Sequence, residues 1–375
     1  MERKQFGWLC FVAFLAVLLL AGTFALDNAP AGARRSLAGP LQGTPTPTPS
    51  CGQPILGPWA VKSPLPFAAH GVDVASDGNY VYAIGGYNYT PTVFSTTLRY
   101  SPTTDTWTAL APVPDAHGLG VAVYAGNGKI YDFGGTNGST EVNITRIYDI
   151  ASNTWSIGAP MPGPLSDQGA GYSNGTIYLA GGYSGNNRTQ ETWAYNIAGN
   201  SWNANLAPLP QPVGAPGAGV INSKLYLAGG MNNSGTVLNT LYVYNIGANT
   251  WAAHTVLPQA ANAPGSAVAA GRLWIFGGTS PGGDLTATQV YDPSADSWSG
   301  GPTLNVARWA LGGAAAGLDI VAVGGWNNVP SERNTVEVAH VNPGSSCPSA
   351  TPTGTPTLVA PSATATQTPA PGTAT

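Results

Sequence analysis

Short apolar runs of four or five residues recur along the chain, apolar at consecutive positions rather than alternating, and each is closed by a glycine pair. Tyr80-Val81-Tyr82-Ala83-Ile84 precedes Gly85-Gly86, and Ile130-Tyr131-Asp132-Phe133 precedes Gly134-Gly135. The same grammar gives Ile177–Ala180, Leu225–Ala228, Leu273–Phe276 and Ile320–Val323 ahead of the doublets at 181–182, 229–230, 277–278 and 324–325. Runs this short without a polar face predict strands packed between layers, not helices. The doublets stand 49, 47, 48, 48 and 47 residues apart. Glycine abundance alone would scatter them, so the chain contains an array of six repeats.

Each repeat continues in a fixed order. Thirteen or fourteen residues past the second glycine comes Tyr100, Tyr148, Tyr195, Tyr244 or Tyr291, and seven residues later Trp107, Trp155, Trp202, Trp251 or Trp298. Turn formers such as Ser101-Pro102-Thr103-Thr104-Asp105 lie between them, and Pro-rich connections such as Ala111-Pro112-Val113-Pro114 come next. A Gly/Ala/Val strand then leads to the next doublet, so each unit is four short antiparallel strands. This combination of Gly-Gly, Tyr and Trp resembles the kelch repeat over roughly residues 55 to 343. The resemblance implies an all-β fold: a six-bladed kelch-type β-propeller with four antiparallel strands per blade around a channel.

The sixth repeat departs from the pattern. Its third strand, within Thr335–Val341, carries Val338 where the Tyr belongs, and the Trp position falls near Ser345. The missing fourth strand is expected from the N-terminal side, in Gly57-Pro58-Trp59-Ala60-Val61, closing the last blade and leaving no long exposed edge.

Composition narrows the partners. Only 8% of the 375 residues are charged, and 13 Lys+Arg against 17 Asp+Glu leave no basic excess, so nucleic acid is not an expected partner. Residues 1–26 read as a signal peptide or a membrane anchor, with Arg3 and Lys4 ahead of an uncharged run from Phe6 to Leu26. Either reading places the rest of the chain outside the cytoplasm, as a secreted or cell-surface protein whose membrane contact is confined to that segment. Residues 27–50 form a Pro/Thr-rich linker, 51–347 the propeller and 348–375 a second Pro/Thr-rich stretch expected to be disordered. A monomer is expected. With Cys10 in the apolar segment, Cys51 and Cys347 remain in the exported part, where oxidising surroundings favour a disulfide across the closure.

In the propeller that the resemblance implies, the connections entering each first strand and those leaving each doublet open on one face. That face is the candidate ligand site: Tyr87, Tyr183 and Trp326 just past their doublets, with Asn88, Asn186 and Asn327 beside them. Aromatic planes next to amides suit sugars; the alternative is that the asparagines simply serve tight turns. His70 and His117 occupy corresponding places in adjacent repeats and could converge near the axis, but no third ligand stands out and no cofactor is implied. Arg308 opens the sixth repeat; with Arg188 and Arg333 it could meet an anionic sugar, although the kelch resemblance favours a structural role. Galactose oxidase carries copper on a kelch propeller through a Tyr–Cys crosslink, which this chain cannot form within its blades, having no cysteine between 52 and 346. The expected function is therefore an exported binding module for a glycan or an extracellular protein. A sugar-active enzyme, mutarotase or oxidase-like, and a structural envelope spacer are the alternatives.

Overall fold

The computed structural model describes residues 52–88, 92–327 and 333–344, and all its regular elements are strands. Cys10, Cys51, Cys347, the N-terminal apolar segment and both Pro/Thr-rich stretches lie outside the described residues. No helix among those described is long and apolar enough to cross a membrane.

Five blades succeed one another in chain order, each a four-stranded antiparallel sheet. Blade 1 comprises Asp73–Ser76, Val81–Ile84, Thr97–Ser101 and Thr106–Ala109; blade 2, Val121–Tyr124, Lys129–Phe133, Thr145–Asp149 and Thr154–Ile157. Blade 3 comprises Gly169–Ser173, Thr176–Ala180, Thr192–Asn196 and Ser201–Asn203; blade 4, Gly217–Ile221, Lys224–Ala228, Leu241–Asn245 and Thr250–His254. Blade 5 runs through Gly265–Ala269, Arg272–Phe276, Thr288–Asp292 and Ser297–Gly301. The apolar runs are the second strands, buried along nearly their whole length, as in Val81–Ile84 and Arg272–Phe276. Outer strands such as Thr154–Ile157 are exposed apart from a half-buried Trp. The core is six apolar wedges, one between each pair of neighbouring blades, with no single centre.

Blade 6 closes the ring as the sequence predicts. Gly312–Ala316, Asp319–Val323 and Val336–Asn342 supply three strands, and the N-terminal segments Ile55–Leu56 and Ala60–Lys62 both pair antiparallel with Val336–Asn342. Ala60 lies opposite Val338, and Trp59 is buried against Phe276 of blade 5 at 5.1 Å.

Three sets of hydrogen bonds repeat around the propeller. Innermost is a closed circle of backbone bonds ahead of the first strands. Gly71, Leu119, Asp167, Ala215, Ala263 and Ala310 each donate N–H to the carbonyl of the corresponding residue one blade back, at 2.7–3.0 Å, Gly71 completing the circle onto Ala310. All six sit at positive φ although five carry a Cβ, a strain of roughly 1–2 kcal/mol per residue that the circle must outweigh. The second set belongs to the doublets. The second glycine of each donates to the next blade, for example Gly86 to His117 O at 2.8 Å and Gly325 to Ala69 O at 2.9 Å. Both glycines of every doublet have positive φ, and a Cβ on Gly85 or Gly229 would come within 2.2 or 2.3 Å of a carbonyl oxygen of the next blade.

The outer set explains the Tyr and Trp. Each Tyr hydroxyl donates to Oδ1 of the Asp or Asn five residues on, at 2.6–2.7 Å: Asp105, Asn153, Asn200, Asn249 and Asp296. That same oxygen accepts the N–H of a residue leaving the preceding blade, namely Ser63, Ala111, Ala159, Ala207 or Thr255. The carbonyl of this residue in turn accepts the indole N–H of the repeat's Trp. At the seam between blades 5 and 6 the clamp is reduced: Trp59 still donates to the carbonyl of Pro302 at 3.1 Å, but Val338 has replaced the Tyr. Proline has no N–H to satisfy, so the missing acceptor leaves nothing orphaned.

Asn249→Ala should destabilise by roughly 1–3 kcal/mol, because the Tyr244 hydroxyl and the Ala207 N–H lose their shared acceptor. Ser299→Ala, on an exposed outer strand, should stay within about 0.5 kcal/mol, both changes being read by urea titration.

Candidate ligand face and channel-side cluster

Each residue just past a doublet is bridged to the residue one place ahead of the inner circle. The pairs are His70 with Tyr87, Gly118 with Thr136, Ser166 with Tyr183, Gly214 with Met231, Asn262 with Thr279 and Trp309 with Trp326. Backbone bonds run in both directions in all six, at 2.7–3.1 Å. The loop face is thus a rigid ring of paired positions.

The expected aromatics do not form one patch. Tyr87 and Trp326 meet across the seam of blades 6 and 1 through His70, whose ring lies 4.0 Å from Tyr87 and 5.1 Å from Trp326. Trp309, bridged to Trp326 with centroids 6.4 Å apart, extends this cluster and was not among the residues expected from the sequence. Its signal was available: it precedes the circle residue Ala310 as His70 precedes Gly71. Burial lowers the His70 imidazole to about 4, so it is neutral near pH 7. Tyr183 lies in blade 3, half the ring away, and forms a second patch in which Arg188 stacks on its ring at 4.8 Å. The Arg188 guanidinium reaches the Met231 sulfur at 2.9 Å, and its backbone N–H donates to Asn233.

The asparagines divide between turns and tips. Asn88 accepts the Thr92 N–H within its own turn, Asn186 stands exposed at the tip of the small hairpin Tyr183–Ser184/Asn187–Arg188, and Asn327 accepts from Arg333 at 2.8 Å.

Two expected residues leave the loop face altogether. Arg308 is fully buried, ion-paired with Glu337 and donating to the Gly324 and Val306 carbonyls. Glu337 also accepts from the backbone and side chain of Asn305, whose amide donates on to Trp59 O at 2.9 Å. Arg308 therefore ties the N-terminal strand into the closing blade and cannot meet a ligand on this face.

His117 does not converge with His70. It stands two residues ahead of its circle residue, where His70 stands one ahead, and that shift sends it inward; it is 0% exposed. Its Nδ1 bonds Asp115 O at 3.0 Å, while Nε2 lies 2.8 Å from Asp132 Oδ2 and 3.2 Å from Asp73 Oδ2. Arg146 borders the group, paired with Asp115, donating to Gly134 O and 3.7 Å from Asp132 Oδ1. Burial opposes charge on His117, but Asp132 and Asp73 raise it to about 10. Burial and then the neighbouring Asp132 push Asp73 up to about 7. The sequence carried a hint in Asp132, the sole charged residue in any of the six apolar runs.

Comparison with known proteins agrees with this geometry. Residues 69–252 match the KLHDC2/KLHL20/DRC7 Kelch-repeats domain and residues 261–305 the Kelch motif, together more than half of the chain. The chain is a kelch-repeat β-propeller. Kelch-like protein 25 of Xenopus tropicalis is 33% identical over 115 residues, covering 28% of this chain and 19% of that protein. Kelch-like protein 40 of Mus musculus is 31% identical over 99 residues, 26% of this chain and 16% of its own length. Beta-scruin of Limulus polyphemus is 30% identical over 115 residues, 28% and 12% respectively. The matched stretch is thus less than a fifth of each of these relatives.

In this kelch propeller the inner strands enclose a channel cavity of about 190 Å³, walled mainly by Gly, Ala, Val and Pro. Its ionisable lining residues are Asp73 and Asp167. Burial, with Asp73 adding repulsion, pushes Asp167 up to about 7 from the ordinary carboxyl value of 3.8. A raised acid holds its proton in the folded chain after the unfolded chain has lost it. Its contribution is fully present below about pH 4 and is lost as pH rises through about 7. Asp167→Asn removes that loss. Thermal melts should show the variant more stable than the parent at pH 8, with the difference shrinking toward pH 4.

Proposed function

We propose that this kelch propeller is an exported binding module whose loop face holds an extracellular protein, anchored on the aromatic seam of blades 6 and 1. The supporting observation is that Tyr87, Trp326 and Trp309 are half-buried, Tyr87 and Trp326 joined through His70 and Trp309 against Trp326, and all three fixed by two-way backbone bonds. Aromatic anchors held rigid before binding lose little conformational entropy on complex formation, the property that concentrates binding energy in few residues. Across the ring, Arg188 has no carboxylate partner among the described residues and suits an acidic or carbonyl group at the rim. A glycan is the second reading, favoured by the Asn88 and Asn327 amides adjoining Tyr87 and Trp326 in sequence.

Panning the full chain against a peptide library and a glycan array distinguishes the two readings. For a captured ligand, Tyr87→Ala with Trp326→Ala should weaken binding at least ten-fold. Val61→Ser, on an outer strand and 61% exposed in the parent, should leave it unchanged. The reverse pattern would move the ligand off the loop face.

Export also bears on the cysteines. Ile55 pairs with Asn342, four residues after Cys51 and five before Cys347, so the chain segments that lead to the two thiols start as neighbours. A disulfide there would close a loop of nearly 300 residues, worth roughly 6 kcal/mol by chain entropy. Intact mass of the exported protein after alkylation without reductant should show neither thiol modified; two added groups would refute the bond.

A further inference from the structure

The buried cluster between blades 1 and 2 has a donor set that the ligand face does not use. Asp73 comes from the first strand of blade 1, His117 from the connection to blade 2, and Asp132 from the second strand of blade 2. Their ligand atoms all lie within 4.8 Å of one another. Separations of 2.8 and 3.2 Å from His117 Nε2 to the two carboxylates match ligands held at near-right angles around an ion about 2.1 Å from each. The His117 Nδ1 contact with the Asp115 carbonyl fixes the ring and aims Nε2 at the carboxylates, the outer-shell arrangement that ligating histidines use.

Two further observations point to a ligand. Asp73 Oδ2 and Asp132 Oδ1 are buried, on residues only 3% and 0% exposed, without a well-aligned hydrogen bond; the nearest cationic groups are His117 Nε2 at 3.2 Å and the Arg146 guanidinium at 3.7 Å respectively. Beside Asp73, only glycine fits at position 120: a Cβ there would fall 2.4 Å from Asp73 Oδ2, in the carboxylate's own coordination space. Gly120 and Asp73 both line the channel, which provides a route of entry. Arg146 neutralises part of the acid, but its strongest partner is Asp115, outside the donor set, so three carboxylates face one guanidinium and one imidazole.

We propose that Asp73, His117 and Asp132 form a site for a divalent transition-metal ion of the zinc or manganese class, reached through the channel and joining blade 1 to blade 2. One imidazole and two carboxylates suit such ions better than magnesium or calcium, which prefer oxygen alone. On binding, the proton that His117 Nε2 shares with Asp132 leaves to solvent and the ion takes its place.

Chelator-treated full chain titrated calorimetrically with ZnCl2 and with MnCl2 should bind one ion per chain at this site and melt at a higher temperature when loaded. Asp73→Asn should weaken that binding at least ten-fold. Zinc could also reach the exposed pairs His254–Asp296 and His340–Asp319, so the titration is repeated with His254→Ala and His340→Ala together. Binding that survives this double change supports the buried site; binding that vanishes with it overturns the proposal. Should Asp73→Asn fail to fold, anomalous diffraction at the zinc edge on the unaltered chain decides. A peak among the three side chains supports the site, and saturating zinc without one refutes it. None of these outcomes touches the loop face.

Discussion

The circle of six backbone hydrogen bonds around the channel is the constraint on which the rest of this propeller depends. It runs Gly71, Leu119, Asp167, Ala215, Ala263, Ala310 and back, one residue per blade. A closed circle fixes the angle between every pair of blades at once, so no blade can rotate without breaking two bonds. Each member must turn its N–H toward one neighbour and its carbonyl toward the other, which demands the left-handed backbone found at all six. Five of them accept that strain with a side chain attached, so the circle and the packing outside it must offset it jointly.

Outside the circle, each seam is a wedge of apolar side chains bounded by polar clamps. The doublet glycines let one blade's backbone lie against the next at distances that a Cβ would forbid. At the periphery, one Asx oxygen serves two donors, the Tyr hydroxyl and a backbone N–H of the blade before. The same device appears at five seams and fails at the sixth, where the chain must join its two ends. There Pro302 removes the donor, Val338 removes the hydroxyl, and a buried Arg308–Glu337 pair with Asn305 binds the N-terminal strand instead. A buried ion pair is poor evidence of net stability, but losing one partner would strand a charge, so the pair serves to specify how the ends meet.

Rigidity on the inside gives the outer faces their character. The loop face inherits six fixed pairs, and the side chains that chance to be aromatic there, Tyr87, Tyr183, Trp309 and Trp326, are presented without needing a core of their own. The channel wall is too crowded for large residues, which is why the carboxyls of Asp73 and Asp167 stand out among glycine and alanine. Low overall charge sharpens that contrast: the most deeply buried charge-bearing residues, Asp73, His117, Asp132, Arg146, Arg308 and Glu337, are gathered at two seams.

The sequence by itself determined the repeat number, the four-strand blade, the buried second strands and the closing role of Gly57–Val61, because each is set by local spacing and by which residues tolerate burial or a tight turn. It also placed Tyr87 and Trp326 on the loop face. What it could not determine was register to a single residue. His70 and His117 read as corresponding positions in adjacent repeats, yet a shift of one place relative to the circle turns one to the aromatic seam and the other into a charged interior, since successive positions in extended chain face opposite ways. Nor could it show that Arg308 would find Glu337 29 residues away, or that Asp73, His117 and Asp132 would share one pocket. Those meetings lie between separate strands and connections, and only the packing of blade on blade brings them within bonding distance.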